Sequence, residues 1–172
     1  MMDGRPLNGV ESVKCGVWWL WERRNGTLFI RDCNANARLS KTWLSHSLSI
    51  QPELLTTVVI DPLQDLIVAV SMQDQFFGVD AGLGYQVLLL EFRLASSQLP
   101  HPDSACTSLE CKHTFNQPGN YFARPVYNPA ICGDRIVVLY YIGQTQDLFV
   151  QVIDWRKGRV GCVSQFLILK VT

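Results

Sequence analysis

The chain has 172 residues, of which 48% are apolar and 17% charged, and its fifteen basic residues balance fifteen acidic ones. That length and apolar content suit one domain with a real core and exclude wholesale disorder. Zero net charge excludes the electrostatic excess that non-specific nucleic-acid binding draws on, and the longest apolar runs are too short to span a bilayer as helices, so neither nucleic acid nor membrane is expected as a partner.

Residues 1–15, MMDGRPLNGVESVKC, are polar and lack the apolar core of a signal peptide, which points to an intracellular protein. The six cysteines form no C-x-x-C pair, so free thiols are expected, several of them buried in strands. Val17–Trp21, VWWLW, and Thr27–Asp32, TLFIRD, flank Asn25-Gly26, which predicts a hairpin with a type I′ turn. Residues 34–52 are undecided, because LSKTWLSHSLSI is serine-rich and short of β-branched residues.

From residue 54 the pattern sharpens. LLTTVVIDP predicts a strand ending at the turn Asp61-Pro62-Leu63-Gln64, with proline where its fixed φ suits a turn. DLIVAVS follows, apolar on both faces, as a strand buried between two layers is. MQDQFFGVDAGLG reads as a polar, glycine-rich loop carrying Phe76 and Phe77, and YQVLLLEFRL as the next strand. Residues 100–130 hold prolines at 100, 102, 118, 125 and 129 and read as a long loop, with a short strand near residues 121–126 as the alternative. DRIVVLYY, DLFVQVIDW and GCVSQFLILKV then predict three strands joined by the short connections IGQTQ and RKGR.

Two stretches repeat one pattern. Asp65 and the strand after it match Asp134 and its strand, and Glu91-Phe92-Arg93 matches Asp154-Trp155-Arg156. A lone meander cannot cover both its faces, so a repeat of this kind predicts meanders packed side by side. The expected architecture is all-β: residues 1–172 form a single β domain, an incomplete β-propeller-like array of antiparallel meanders. Residues 15–53 would be a partial first blade, 54–99 and 131–172 two clear blades, and 100–130 the proline-rich loop.

IDPLQDLIVAVS, ICGDRIVVLYY and VIDWRKGRV, in this order, resemble three motifs of a fungal F-box protein family, in the WD-repeat-like β-propeller region that follows the F-box. The likeness covers about residues 55–165; WWLWERRNGTLFI is a weaker match upstream. The resemblance implies a propeller that recruits proteins to a ubiquitin ligase. No F-box-like segment stands before Val17, so ligase docking is carried onto no residue.

Several side-chain groups invite chemistry. His101, Cys106, Cys111 and His113 share the proline-rich stretch, but their order H-x₄-C-x₄-C-x-H lacks the paired hooks of a zinc site, so neither metal nor cofactor is expected. Asp61, Asp65, Asp134 and Asp154 stand at strand ends, where aspartate caps a turn. No G-x-S-x-G, H-E-x-x-H or phosphate-binding glycine loop occurs. The expectation is therefore a non-catalytic interaction module that binds a protein partner through Phe76, Phe77, Tyr121, Phe122, Trp155 and Arg156, and that self-associates if its strand edges stay open. The alternatives are a small propeller or sandwich hydrolase with an Asp/His cleft, and a truncated remnant without function.

Overall fold

The computed structural model describes residues 9–22, 24–36, 39, 44–47, 55–77, 83–115, 123–125, 128–142 and 147–167. They are all-β, in three antiparallel sheets, with no helix among the described residues. The first sheet is β1 (Gly9–Lys14), β2 (Val17–Glu22), β3 (Thr27–Asp32) and β4 (Leu44–Ser47), paired in chain order. The second, also in chain order, is β5 (Leu55–Asp61), β6 (Leu66–Phe77), β7 (Leu83–Leu94) and β8 (Ser108–Phe115). After β9 (Ala123–Pro125) comes the third, β10 (Ala130–Cys132), β11 (Arg135–Ile142), β12 (Asp147–Asp154) and β13 (Arg159–Leu167), with β9 pairing onto β11.

Each sheet is a meander whose second and third strands close on the same backbone bond. The N–H of Cys33 donates to Gly16 O (2.9 Å), that of Ala95 to Asp65 O (2.8 Å) and that of Trp155 to Asp134 O (3.2 Å). In each case the acceptor immediately precedes the second strand and the donor immediately follows the third. The matching of Asp65 with Asp134 is thus a true structural equivalence, and Gly16 is its third member. The other sequence match is displaced: β6 pairs with β7 at Leu66↔Leu94 and β11 with β12 at Arg135↔Asp154, so Asp154 corresponds to Leu94 and Glu91 lies three residues upstream. Phe92 and Trp155 are instead neighbours, with ring centroids 6.2 Å apart.

Elsewhere the strands run further than the sequence suggested. β6 continues through Phe77 and β7 begins at Leu83, so most of MQDQFFGVDAGLG is ladder, and Phe76 and Phe77 pair with Gly84 and Leu83 rather than standing in a loop. Within the stretch read as a loop lies β8, which seats Leu109 and Cys111 on the core and completes the second sheet. The hairpin between β2 and β3 is present, but its turn is not the expected one. Glu22↔Thr27 closes a four-residue connection with Gly26 in the left-handed region (φ 60). The two-residue turn with both φ positive, as type I′ requires, is Cys15-Gly16 between β1 and β2 (φ 51 and 77).

One core runs through all three sheets. Trp19, Trp21, Leu28 and Ile30 of the first, Val58, Ile60, Leu90 and Phe92 of the second, and Ile136, Val138 and Ile153 of the third belong to it, with Trp155 beside them. β6 lies deepest: every side chain from Leu66 to Val70 is fully buried, as a strand apolar on both faces should be. β5 touches β1, β2 and β10, so the first strands of all three sheets lie together. Trp19 donates its indole N–H to Val58 O (3.2 Å) across the first junction, and Thr57 donates its hydroxyl to Asn128 Oδ1 (2.7 Å) toward the third sheet.

Candidate functional site

At one end of the sheets the turns converge, and Asp61 is the centre of the convergence. It closes β5 with its carboxylate only 6% exposed. Oδ1 accepts the N–H of Leu63 (3.1 Å); Oδ2 accepts from Lys14 Nζ (3.0 Å) and Gln64 Nε2 (3.2 Å). Lys14, the last residue of β1, also reaches Ile131 O on β10 (3.4 Å). A single lysine thus ties together the first strands of three sheets. Gln64 extends the link by donating to Gly133 O (2.9 Å), which accepts the Trp155 indole N–H as well (3.0 Å).

The segment after β7 seals the second junction. Ser104 Oγ lies 3.1 Å from Trp155 O, and the Ala105 N–H donates to Arg156 O (3.0 Å). His101 stands edge-on to the Trp155 ring, with centroids 4.9 Å apart. Its Nδ1 accepts the Asp103 N–H (3.2 Å), which leaves the ring hydrogen on Nε2 to meet Gln64 O (3.0 Å). Both imidazole nitrogens are occupied, so His101 is no metal ligand here. Among the described residues no three His, Cys, Asp or Glu side chains converge on a metal position.

These turns enclose a cleft of about 430 Å³. Leu39 comes to it from beyond β3, Pro62, Leu63, Gln64 and Asp65 from the β5–β6 turn, Asp103 from the segment after β7, and Arg156 from the β12–β13 turn. All three sheets therefore supply its walls. Leu63 is 64% exposed, an apolar rim left in water. The Arg156 guanidinium lies 5.2 Å from the centre of the Trp155 ring, 3.4 Å from Gln64 Oε1 and 3.7 Å from Asp103 Oδ2. Its side chain is 47% exposed, so it keeps donors free to face the cleft.

The aspartates are engaged in structure. Asp65 accepts the Ser96 N–H (2.8 Å) and hydroxyl (2.5 Å), bracing the turn after β7 rather than its own. Asp154 accepts the Lys157 N–H (3.1 Å) and pairs with Arg135. Burial alone would raise the Asp154 carboxyl, but the Lys157 N–H, the Arg135 guanidinium and the Lys157 ammonium outweigh it and hold the carboxyl below the ordinary aspartate value. Asp134 is half exposed beside Arg135.

Of the residues expected to meet a partner, Arg156 lines the cleft and Trp155 does not reach it. The Trp155 ring is fully buried and supports Arg156 from beneath, because a large apolar ring with one polar N–H is most stable packed and hydrogen-bonded. The side chains of Phe76 and Phe77, and all of Tyr121 and Phe122, lie outside the described residues. Leu39, Leu63, Gln64 and Asp103 were not singled out beforehand. The proline turn at Pro62 was a signal for Leu63 and Gln64, and none pointed to Leu39 or Asp103.

Among the five cysteines whose side chains are described, Cys15, Cys33 and Cys132 are exposed, against the expectation of burial, and only Cys111 is fully inside. Burial pushes the Cys111 thiol up to about 12. No helix long and apolar enough to cross a membrane occurs among the described residues. Comparison with models of known protein families, with characterised proteins and with solved structures gives no match.

Proposed function

We propose that the chain is a non-catalytic protein-interaction module, built as an open, propeller-like array of three blades, that binds an extended segment of a partner protein in the cleft between Leu63 and Arg156. The observation that carries this reading is the composition of the cleft from the turns of all three sheets. Such a cleft forms only when the sheets are assembled, and it offers an apolar wall of Leu39, Pro62 and Leu63 beside one cation held over an aromatic ring. Sites of this size that join an apolar wall to a few oriented polar groups suit side chains of a peptide. Arg156 supplies the anchor for a carboxylate on the partner.

Support for the array comes from the meeting of β1, β5 and β10 and from the backbone bond repeated in each sheet. Support for a binding rather than a catalytic role comes from the carboxylates near the cleft: both Asp65 oxygens are held by Ser96, and Asp103 Oδ2 faces Arg156. The resemblance to the propeller region of fungal F-box proteins agrees, and under it this chain is the target-recruiting part of an intracellular ubiquitin-ligase adaptor.

The test is selection of short random peptides on the immobilised chain. Enriched peptides should carry an acidic residue next to apolar ones, and their binding should fall at least tenfold with Arg156→Glu and with Leu63→Asp. Peptides that bind the wild type and the Arg156→Glu, Leu63→Asp double variant equally would refute the cleft as the binding face.

A further inference from the structure

From Ser96 to Glu110 the chain runs over the surface with one exception. His101, 6% exposed, is the only buried residue of this stretch. A lone anchor of this kind is usually apolar; here it is an imidazole, and it touches what the cleft is built from. Nε2 meets Gln64 O (3.0 Å) on the β5–β6 turn, and Nδ1 accepts the Asp103 N–H (3.2 Å). The ring also stands edge-on to Trp155, the indole that supports the Arg156 guanidinium. Gln64, Asp103 and Arg156 come from three separate segments, and all three line the cleft.

We propose that His101 is the positioning residue of the cleft and works only as the neutral imidazole, so that acidification releases residues 101–105 and, with them, the bound peptide. The proposal deepens the peptide-binding reading of the cleft and rests on it.

The reason is a matching of donors and acceptors. The neutral ring has one N–H and one lone pair, and each has its partner. A second proton must go onto Nδ1, where the Asp103 N–H already points, and two donors then face each other. The cation so formed is buried, and a buried charge needs a counter-charge. Among the described residues no carboxylate bonds to or pairs with the ring. On its own segment, Asp103 turns its carboxylate to Arg156. On the β5–β6 turn, Lys14 holds Asp61 and Ser96 holds Asp65. On β7, whose Phe92 O accepts the His101 N–H (3.1 Å), Arg93 pairs with Glu91. On the β12–β13 turn, Asp154 pairs with Arg135 and Lys157, and Arg156 already places one cation at the same indole. The protonated ring therefore leaves its seat. It takes with it the Ser104 N–H bond to His101 O (3.1 Å) and the Ala105 N–H bond to Arg156 O (3.0 Å). Gln64, Asp103 and Arg156 are then no longer held in one geometry.

The test compares about pH 7.5 with about pH 5.5, a range over which histidine changes charge and a peptide carboxylate does not. In hydrogen exchange of the free chain, corrected for the intrinsic rate at each pH, the amides of His101, Asp103, Ser104 and Ala105 should lose at least about fivefold in protection at the lower pH, while those of β6 keep theirs. The affinity of the selected peptides that depend on Arg156 should fall at least about fivefold. In His101→Asn, whose side-chain oxygen can accept the Asp103 N–H but takes up no proton, both changes should vanish. The wild-type measurements decide even where that variant does not fold. Unchanged protection of residues 101–105 overturns the proposal whether or not peptides bind. So does a peptide affinity that is level or higher at about pH 5.5, or a pH effect undiminished in His101→Asn. Lost protection with no Arg156-dependent peptide found supports the release of the segment and refutes the peptide-binding reading, so the two failures are distinct.

Discussion

Replacing Trp155 with phenylalanine should destabilise the protein by about 2 kcal/mol, and the figure follows from what the ring touches. The side chain is fully buried, so the smaller ring leaves a void of about 35–40 Å³, worth about 1 kcal/mol at roughly 24 cal/mol per Å³. The indole N–H bond to Gly133 O is lost as well. Because Gly133 O keeps its bond from Gln64 Nε2, no buried acceptor is orphaned, and that loss adds only about 1 kcal/mol. For a chain of 172 residues the sum lowers the melting temperature by about 4–8 °C. The assay is thermal unfolding followed by far-ultraviolet circular dichroism. The curve should shift as one transition, because Trp155 belongs to a core shared by all three sheets. A shift under about 1 °C would refute the packing of the ring, and a split into two transitions would refute the shared core.

Other predictions concern backbone and titration. Gly133→Ala meets no neighbour within 4 Å and suffers only its left-handed φ of 60, so about 1 kcal/mol is expected; Gly161→Ala puts a methyl 2.7 Å from Val152 O at the β12–β13 bulge and should cost more, seen as a larger drop in urea midpoint. The raised Cys111 thiol stays protonated at neutral pH, so iodoacetamide should modify Cys15, Cys33 and Cys132 in the folded protein and reach Cys111 only on unfolding, by peptide mass mapping. Asp154 is held below its unfolded value, so the stability it contributes is full above about pH 3.9 and lost as pH falls through its folded value. In an acid titration of urea midpoints, Asp154→Asn should flatten that loss, and an unchanged slope would refute the pairing with Arg135.

Strands with a strong apolar run were plain in the sequence: β6 above all, because burial on both faces forces such a run, and β11, whose Ile136 and Val138 are buried while Val137 and Leu139 are half-buried. β8 was hidden by its place at the outer edge of a sheet. Edge strands carry polar and charged residues on their open side, and among the described side chains of SLECKHTF only Leu109 and Cys111 face the core, amid prolines that signal a loop. The first sheet was seen as partial because β4, at Leu44–Ser47, is short and serine-rich. The register of the repeat was misjudged where acid–aromatic–arginine recurs, since Phe92 lies within β7 while Trp155 follows β12. Arg156 was legible as an exposed turn residue. The rest of the cleft was not, because Leu39, Leu63, Gln64 and Asp103 come together only through the packing of sheets far apart in the chain.

That packing rests on Lys14 and Asp61, which join the first and second sheets and hold Gln64 at the cleft. A double-mutant cycle of Lys14→Met and Asp61→Asn, read from urea unfolding, measures the link most directly. The account predicts a coupling of about 1–2 kcal/mol between the two side chains; losses that add to within about 0.3 kcal/mol would contradict it.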